Sequence, residues 1–499
     1  MSSIILTELD NFFAEKLLGA EASEETTLSL ARLMAMSRQG HLCATLSDLS
    51  FPPPASLLEE GTHLFPTAPI VWDAERYYLQ RNWVYETYLL QETKRLRAQP
   101  LPSWIVRSQW EGKLLDSALL PAQREAICSA LSHSFSIICG GPGSGKTYTA
   151  SHLVTLLAAC KGRSLRVAIA APTGKAAFHL HAAIQKRSPV GIDAEVTTLH
   201  RLLHLQPGEE RLFSRRILDA DLVLVDEASL IDISLMAHLF ESIGEETLLV
   251  LIGDPNQLPP VTGGSLFCAM AELFGSFLER SLRVEAKEVG ELISAVQEGN
   301  LPLFLSYPKL YPLEELPHQE IFFANDIPDP KVALDFYERH RFLSAVRQGP
   351  YGVDEINAFF WKKIIATRSA WAVPILATAN DPWRGIYNGM NGVLVGKASE
   401  SAVAWFPDLA TGKLSPFSPP PPYELAFCLS VHKSQGCEYE EVIAFFPSGS
   451  EFFGKEGLYT AITRAKRSVQ LFGEPEIFAE MLKKSARAIS GFTDRFRRG

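Results

Sequence analysis

The chain has 499 residues, of which 46% are hydrophobic and 21% charged, and this composition is typical of a soluble globular protein with about three domains. The formal net charge of −10 excludes a polybasic coat, so any nucleic-acid binding must come from a local groove. The seven cysteines form no CxxC pair, and there is no export signal or long apolar run, so we expect a cytoplasmic protein without zinc, iron–sulfur or membrane-spanning segments.

Residues 1–110 show helical periodicity and carry no catalytic grouping. Apolar residues recur at helical spacing within 6–17 and 28–34, which predicts two amphipathic helices. The aromatic stretch from Trp72 to Leu90 predicts another packed helix. We therefore expect a small helical N-terminal domain.

Residues 111–275 alternate between apolar runs of strand length and helical patterns. This alternation predicts a parallel sheet covered by helices on both faces, with ligands at the carboxyl ends of its strands. The predicted strands are Ser136–Cys139, Arg166–Ala170, Leu222–Val225 and Leu248–Ile252.

The first predicted strand runs into a glycine-rich turn, after which a helical pattern begins. Glycines let backbone N–H groups turn toward a phosphate, and the helix N-terminus adds a positive dipole end. Lys146 can reach the β- and γ-phosphates, and the Thr147 hydroxyl is placed to bind Mg²⁺. The turn therefore predicts a phosphate-binding loop for ATP and Mg²⁺. Its residues are Gly140, Gly141, Pro142, Gly143, Ser144, Gly145, Lys146 and Thr147.

The third predicted strand ends in Asp226-Glu227. Nucleotide hydrolysis needs two carboxylates at such a position. Asp226 is expected to hold Mg²⁺ through water, and Glu227 to orient and deprotonate the attacking water.

Residues 276–499 contain a further α/β pattern. Short β-type runs around a proline-rich segment predict a small barrel-like insert at about 393–427. The basic C-terminal end is most simply a solvated tail. The strands predicted in this block are Ile375–Ala377, Val393–Val395, Val442–Phe446 and Val469–Phe472, and the β-type runs of the insert are Ala402–Phe406 and Leu425–Leu429.

Ordered motifs run through the second and third blocks. They are Gln123, GGPGSGKT (140–147), APTGKAA (171–177), TTLH (197–200), DEAS (226–229), GDPNQLPPV (253–261), SVHKSQGCEY (430–439) and YTAITRAK (459–466). This set resembles the superfamily one helicases of the 5′→3′ branch and, within that branch, the RecD family, the alpha subunits of exodeoxyribonuclease V. The resemblance covers residues 111–475, with a weaker match in 30–49 and 77–83. It implies an α/β fold with two RecA-like P-loop domains, at 111–275 and 276–499, with ATP between them and an SH3-like insert.

The resemblance also implies roles for residues around the nucleotide. Gln123 is expected to read the adenine edge, and Gln257 to sense the γ-phosphate. Arg283 and Arg464 are expected to reach across from the second domain as arginine fingers, because a planar charged fork stabilises developing phosphate charge. Arg283 departs from the family pattern, since a leucine precedes it in place of an aromatic residue. Gly436 and Glu438 complete the expected nucleotide site.

For DNA, the resemblance implies a single strand that crosses both domains through contacts to its backbone, which suit a motor because they carry no sequence information. A short wedge hairpin is expected between Leu205 and Arg216. The implied DNA-binding residues are Pro172, Thr173, Lys175, Thr198, His200, Asn388, His432 and Lys433.

The sequence thus predicts an ATP-dependent 5′→3′ DNA helicase or translocase subunit. By resemblance, it acts on single-stranded or duplex DNA ends in double-strand break repair by homologous recombination, within a RecBCD-type complex with beta and gamma subunits. The N-terminal domain is expected to dock on a partner, and the nuclease site is expected in the beta subunit. An ATP-driven regulatory or assembly subunit with little unwinding of its own remains an alternative. A metabolic P-loop kinase does not account for the motifs at 430–439 and 459–466.

Overall fold

The computed structural model describes residues 6–19, 23–115, 118–187, 191–205, 216–260, 263–278, 287–313, 329–367, 370–397, 402–408 and 411–498. Arg283 and the hairpin predicted at 206–215 lie outside these residues. Within the part of the chain that is described, no helix combines the length and the apolar character needed to cross a membrane.

The N-terminal region combines helices with a four-stranded sheet of order β1-β4-β3-β2. The two predicted amphipathic helices are present as α1 and α2, but the predicted helical domain is an α/β domain instead. The helices are α1 (Glu8–Leu18), α2 (Glu24–Arg38), α3 (Leu46–Leu49) and α4 (Gln80–Ala98), and the strands are β1 (Cys43–Thr45), β2 (Leu58–Glu60), β3 (Ile70–Asp73) and β4 (Arg76–Leu79).

The aromatic stretch at 72–90, predicted as one helix, divides between a β-hairpin and α4. Ala74, with a φ of 55°, lies in the turn between β3 and β4, and Tyr78 is paired with Val71 across the hairpin. The β-branched and aromatic residues of β3 favour an extended chain. The helical prediction was wrong for the residues of this hairpin because it used only the spacing of the aromatic residues.

The first parallel sheet has the order β10-β5-β9-β8-β6-β7. The strands predicted in this block are confirmed as β5, β6, β8 and β9, while β10 ends past the predicted boundary at residue 275. Ile137 and Ile138 of β5 lie in different core clusters, so the strand is apolar on both faces. The strands are β5 (Phe135–Cys139), β6 (Leu165–Ala171), β7 (Ile192–Thr198), β8 (Leu222–Val225), β9 (Leu248–Gly253) and β10 (Gly275–Phe277). The helices are α5 (Arg107–Leu115), α6 (Pro121–Ala130), α7 (Lys146–Lys161), α8 (Gly174–Arg187), α9 (Leu199–Leu202), α10 (Ile233–Glu241) and α11 (Phe267–Phe274).

A second parallel sheet has the order β11-β20-β19-β12-β18. The predicted strands at 442–446 and 469–472 are confirmed within β19 and β20, and the predicted α/β class with two parallel-sheet domains is confirmed. The strands are β11 (Leu310–Tyr311), β12 (His340–Ser344), β18 (Cys428–Ser430), β19 (Tyr439–Phe446) and β20 (Ala465–Gly473). The helices of this part are α12 (Lys287–Glu298), α13 (Leu301–Leu305), α14 (Pro330–Arg339), α15 (Val353–Thr367), α16 (Gly454–Ile462), α17 (Pro475–Lys483) and α18 (Phe492–Arg498).

The insert is a five-stranded antiparallel sheet of order β16-β15-β14-β13-β17. It begins at residue 370 instead of 393, and the strands predicted at 375–377 and 393–395 belong to it. The predicted run 425–429 is split, because β18 pairs with β12 in the second parallel sheet. In the described residues the edge strands are not paired with each other, and the barrel-like, SH3-like form is not confirmed. The strands are β13 (Ala370–Ala377), β14 (Asn391–Lys397), β15 (Val403–Pro407), β16 (Leu414–Phe417) and β17 (Tyr423–Leu425).

The basic C-terminal end packs against the N-terminal region, so the prediction of a solvated tail was wrong. Arg495 of α18 is 9% exposed, and its guanidinium lies 3.8 Å from the ring centroid of Trp83. Its Nη1 donates to Oε1 of the buried Glu86 at 3.1 Å. Ahead of α18, the carbonyl oxygen of Ile489 accepts a hydrogen bond from the N–H of Leu42 at 2.8 Å. The chain end therefore ties the N-terminal region to the rest of the molecule.

Candidate functional site

A cleft of about 1060 Å³ is lined by residues from both parallel-sheet domains. The first sheet contributes the phosphate loop, Asp-Glu and Gln257, and the second sheet contributes the motifs at 430–439 and 459–466. The residues predicted for the nucleotide site that line it are Pro142, Gly143, Gly145, Lys146, Thr147, Asp226, Glu227, Gln257, Gly436, Glu438 and Arg464.

The phosphate loop joins β5 to the N-terminus of α7. Gly143 and Gly145 have φ values of 73° and 91°, a conformation that side chains with a Cβ rarely adopt. The ammonium of Lys146 donates to the carbonyl oxygens of Gly140 at 2.6 Å and Gly141 at 3.0 Å, and so folds back onto its own loop. The buried hydroxyl of Ser144 has no partner among the described residues. The Lys146 ammonium and the Ser144 hydroxyl are therefore hydrogen-bond donors for which a phosphate would be an acceptor.

Gln123 of α6 lies against the back of this loop and does not line the cleft. Its Oε1 accepts the N–H of Leu120 at 3.1 Å, which satisfies a free donor at the start of α6. A Cβ placed on Gly145 would lie 2.6 Å from the Gln123 amide nitrogen, so this side chain packs directly on the loop. The structure thus brings Gln123 to the loop, while its reading of adenine stays a prediction.

Asp226 and Glu227 follow β8 and line the cleft. Desolvation, with the neighbouring Glu227 carboxylate, raises the pKa of Asp226 to about 7, although Lys146 and the N–H of Glu227 act in the opposite direction. Glu227 has a φ of 52°, a left-handed conformation that costs about 1–3 kcal/mol in a non-glycine residue. Its Oε1 lies 3.8 Å from where a Cβ on Gly436 would be, so it faces the second domain. The Glu227 carboxylate therefore lies between the two domains.

These residues fit a magnesium ion bound together with a nucleotide. The pKa of Asp226 is raised although Lys146 is nearby, and a divalent cation would favour the charged form of this carboxyl. Thr147 lines the same cleft. Within the described ranges, no group of three or more His, Cys, Asp or Glu side chains could hold a metal on its own. Mg²⁺ commonly binds through one or two carboxylates together with substrate phosphates. We therefore expect the cation to depend on the nucleotide.

The loop after β9 connects the two domains by hydrogen bonds. Oδ2 of Asp254 accepts the Tyr459 hydroxyl at 2.8 Å and lies 3.4 Å from Nε2 of Gln257, whose Oε1 has no partner in the described chain. The Leu258 N–H donates to the Thr460 hydroxyl at 2.9 Å. Asp254 and Tyr459 both stand in the predicted motifs, but the sequence predicted no role for either residue. Their pairing identifies this loop as a contact between the two halves of the site.

The Tyr459 hydroxyl also reaches the phosphate loop, since a Cβ on Gly141 would lie 2.8 Å from it. We expect Tyr459→Phe to lower the free energy of unfolding by about 1–3 kcal/mol, because it removes a donor from the buried carboxylate of Asp254. Urea unfolding measures this change. Tyr423→Phe is the matched control, since Tyr423 is 39% exposed. Equal unfolding free energies for Tyr459→Phe and the unsubstituted chain would refute the expected contribution of this hydrogen bond.

Arg464 is held by the second domain with its guanidinium in the cleft. It is 2% exposed, its Nη1 donates to the Cys437 carbonyl at 3.1 Å and its Nε to the Thr460 carbonyl at 3.0 Å. Glu438, which also lines the cleft, lies 3.6 Å from the ammonium of Lys466. Arg464 is therefore held in place by backbone acceptors of its own domain.

The predicted DNA-binding residues of the first domain divide between two places. Pro172 and Thr173 follow β6, and Thr198 and His200 lie at the end of β7 and beyond it. Because β6 and β7 pair in parallel with Ala171 opposite Thr198, these residues lie side by side at the edge of the sheet. Lys175 lies instead in the nucleotide cleft, where its ammonium is 3.6 Å from the Cys437 sulfur.

In the second domain, His432 and Lys433 follow the edge strand β18. Desolvation lowers the pKa of His432 to about 4, so its ring is neutral at physiological pH, and it packs edge-to-face on Phe453 at 5.4 Å. Lys433 forms an ion pair with Glu424. Asn388 is exposed in the turn between β13 and β14. A contact from His432 to DNA would therefore use a neutral imidazole.

Comparisons with known proteins agree with this arrangement. A family model described as an AAA domain matches residues 123–263, and a model described as a UvrD-like helicase C-terminal domain matches residues 425–472. The chain is 32% identical to the RecBCD enzyme subunit RecD of Mycolicibacterium smegmatis, over 99% of this chain and 98% of the relative. It is 30% identical to the RecBCD enzyme subunit RecD of Mycobacterium tuberculosis, over 97% of this chain and 94% of the relative. It is also 24% identical to the ATP-dependent RecD2 DNA helicase of Deinococcus radiodurans, over 82% of this chain and 57% of that protein. On the basis of this near full-length similarity, the chain belongs to the RecD family.

Proposed function

We propose that the chain is an ATP-dependent 5′→3′ DNA helicase subunit of a RecBCD-type complex that processes DNA ends in recombinational repair in the cytoplasm. Its expected partners are the beta and gamma subunits of that complex. The observation that carries the proposal is the cleft, in which Lys146, Asp226 and Glu227 of one domain face Arg464 of the other. Names of the relatives support the same activity.

The phosphate loop is the part of the site that binds the nucleotide. Lys146 would exchange the carbonyl oxygens of Gly140 and Gly141 for phosphate oxygens, which are stronger acceptors because they are charged. The unpartnered oxygen of Gln257 would receive a hydrogen bond from the attacking water. Magnesium bound near Asp226 and Thr147 would supply positive charge to the phosphates.

Hydrolysis would use groups from both domains. Glu227 is aimed across the cleft and would accept the proton of the attacking water. Arg464 would stabilise the charge that develops on the transferred phosphoryl group. Closure around the nucleotide would move the two domains relative to each other, and the hydrogen bonds from the loop after β9 to Tyr459 and Thr460 would couple that movement to the nucleotide site. This movement would carry along the exposed Thr173 and His200 and, on the other domain, Lys433.

The test measures ATP hydrolysis with and without single-stranded DNA, together with unwinding of duplexes that carry a 5′ or a 3′ tail. It uses the chain alone and assembled with the beta and gamma subunits. We expect DNA-stimulated hydrolysis and unwinding from the 5′ tail. Lys146→Gln should abolish both, whereas Lys483→Gln, a change at an exposed lysine, should leave both intact. Hydrolysis without unwinding of either tail in the assembled complex would instead support an ATP-driven regulatory or assembly subunit.

A further inference from the structure

The turn between β13 and β14 projects a tryptophan into solvent. Trp383 is 99% exposed, whereas the next most exposed large apolar side chain among the described residues, Leu115, is 64% exposed. Single apolar residues on a surface are ordinary, but an indole that contacts so little of its own protein contributes almost nothing to folding. Its position therefore suits contact with another molecule.

The turn that carries Trp383 is closed by backbone hydrogen bonds. The Asp381 N–H donates to the Ile386 carbonyl at 2.8 Å, and the Ile386 N–H donates back to the Asp381 carbonyl at 3.0 Å. The Arg384 N–H also donates to the Asp381 carbonyl, at 3.1 Å, and Gly385 supplies a φ of 69°. The indole is thus presented by a fixed turn, which reduces the entropy lost when it binds a ligand.

The same end of the insert sheet carries polar and aromatic groups. Asn388 is exposed in the continuation of the turn, and the next residue, Gly389, donates its N–H to the Ala377 carbonyl at 2.8 Å. Ala377 is paired with Tyr423 on the neighbouring strand. Tyr423 is followed by Glu424, whose carboxylate forms an ion pair with Lys433. Trp383 therefore shares its loop with the predicted DNA-binding residue Asn388, and this loop adjoins β17, whose Glu424 is paired with Lys433.

The charges at this surface are largely neutralised within the protein. Lys433 is paired with Glu424, and Nε of Arg384 lies 3.5 Å from Oδ2 of Asp381. The contact offered here is consequently the aromatic face, with amide groups beside it. Proteins that bind single-stranded nucleic acid stack bases on such aromatic side chains, and this stacking tolerates any sequence because every base has a π-face.

We propose that Trp383 is a base-stacking platform for single-stranded DNA, placed beside Asn388 at the end of the insert sheet. This inference rests on the proposed function and extends it by adding a contact to the bases. Because no net charge takes part, the contribution of the ring to affinity should change little with salt, unlike that of contacts to phosphates.

The experiment measures the affinity of the full-length chain for a fluorescent oligothymidine and for the same oligonucleotide with abasic positions along its central part. We expect Trp383→Ala to weaken binding of the intact oligonucleotide about 10-fold, at both low and high salt. Trp383→Phe should retain most of the affinity. Phe65→Ala is the matched control, because Phe65 is an aromatic side chain of the N-terminal region that is 57% exposed.

The abasic oligonucleotide identifies the contact. The unsubstituted chain should bind the abasic oligonucleotide more weakly than the intact one. The Trp383→Ala protein should bind the two oligonucleotides with similar affinity. Equal losses for both proteins, or unchanged binding by Trp383→Ala, would overturn the stacking proposal. If Trp383→Ala binds DNA normally but no longer assembles with the beta and gamma subunits, Trp383 is a protein contact instead. An unsubstituted chain whose hydrolysis is not stimulated by DNA would contradict the proposed function as well, whereas normal stimulation with no effect of Trp383→Ala would contradict the stacking alone.

Discussion

Replacement of Arg464 with alanine is expected to lower the rate of ATP hydrolysis about 10³- to 10⁵-fold. The guanidinium lies in the cleft and is oriented by the carbonyl oxygens of Cys437 and Thr460. An arginine fixed in this way stabilises charge that appears only as the phosphoryl group is transferred. ATP binding should therefore fall much less than the hydrolysis step. Single-turnover hydrolysis in the presence of single-stranded DNA measures the step itself.

Two further variants separate charge from geometry. Arg464→Lys keeps the positive charge but lacks the planar fork, so we expect a loss close to that of alanine. Arg467→Ala, in the strand β20 that follows Arg464, is the matched control, because the Arg467 side chain is 66% exposed and lies outside the cleft residues. Since Arg464 is buried, thermal unfolding must accompany the kinetics. A folded Arg464→Ala protein that hydrolyses ATP within about tenfold of the original rate would exclude the arginine-finger role.

The sequence predicted the strands and the phosphate loop of the first domain because their signals are local. Strands β5 and β8 are apolar runs that end directly at functional residues, and Gly143 and Gly145 take the positive φ values that the loop motif requires. Lys146 and Glu227 could be placed at one edge of the first sheet because each comes shortly after a predicted strand. Arg464, which lies between α16 and β20, was assigned to the same cleft only by the resemblance to the RecD family. Their roles remain predictions that the kinetic experiments test.

Contacts between distant parts of the chain could not be read from the sequence. Tyr459 and Asp254 are separated by 205 residues, and no local pattern indicates that they pair. Lys175 shares a motif with Thr173, yet Lys175 lines the nucleotide cleft while Thr173 is exposed. Side chains at neighbouring positions where a helix begins point in different directions, so sharing a motif does not place two residues on one surface. The N-terminal strands, of three or four residues each, are too short for a periodic signal to separate them from loops.

The C-terminal helix is the strongest case of such a long-range contact, and it leads to a prediction about stability. We expect Arg495→Ala to lower the free energy of unfolding by about 3–5 kcal/mol, because it leaves the fully buried carboxylate of Glu86 without its charged partner. Glu86 is 0% exposed and 409 residues away along the chain. Urea unfolding of the full chain measures the change. Arg497→Ala is the matched control in the same helix, since its ion pair with Glu272 is solvent-exposed and should contribute about 0–1 kcal/mol.

The pH dependence of this loss distinguishes a buried charge from lost packing. Burial raises the pKa of Glu86, and Arg495 acts in the opposite direction, so Arg495→Ala should raise that pKa further. A carboxyl whose pKa is higher in the folded state destabilises that state as the pH rises, because folding then requires the charged form to be buried or a proton to be taken up. The deficit of Arg495→Ala should therefore be larger at pH 8 than at pH 5, and Glu86→Gln combined with Arg495→Ala should remove most of this difference. A deficit that is the same at both pH values, and unchanged by Glu86→Gln, would mean that Arg495 stabilises the fold through its packing on Trp83 instead.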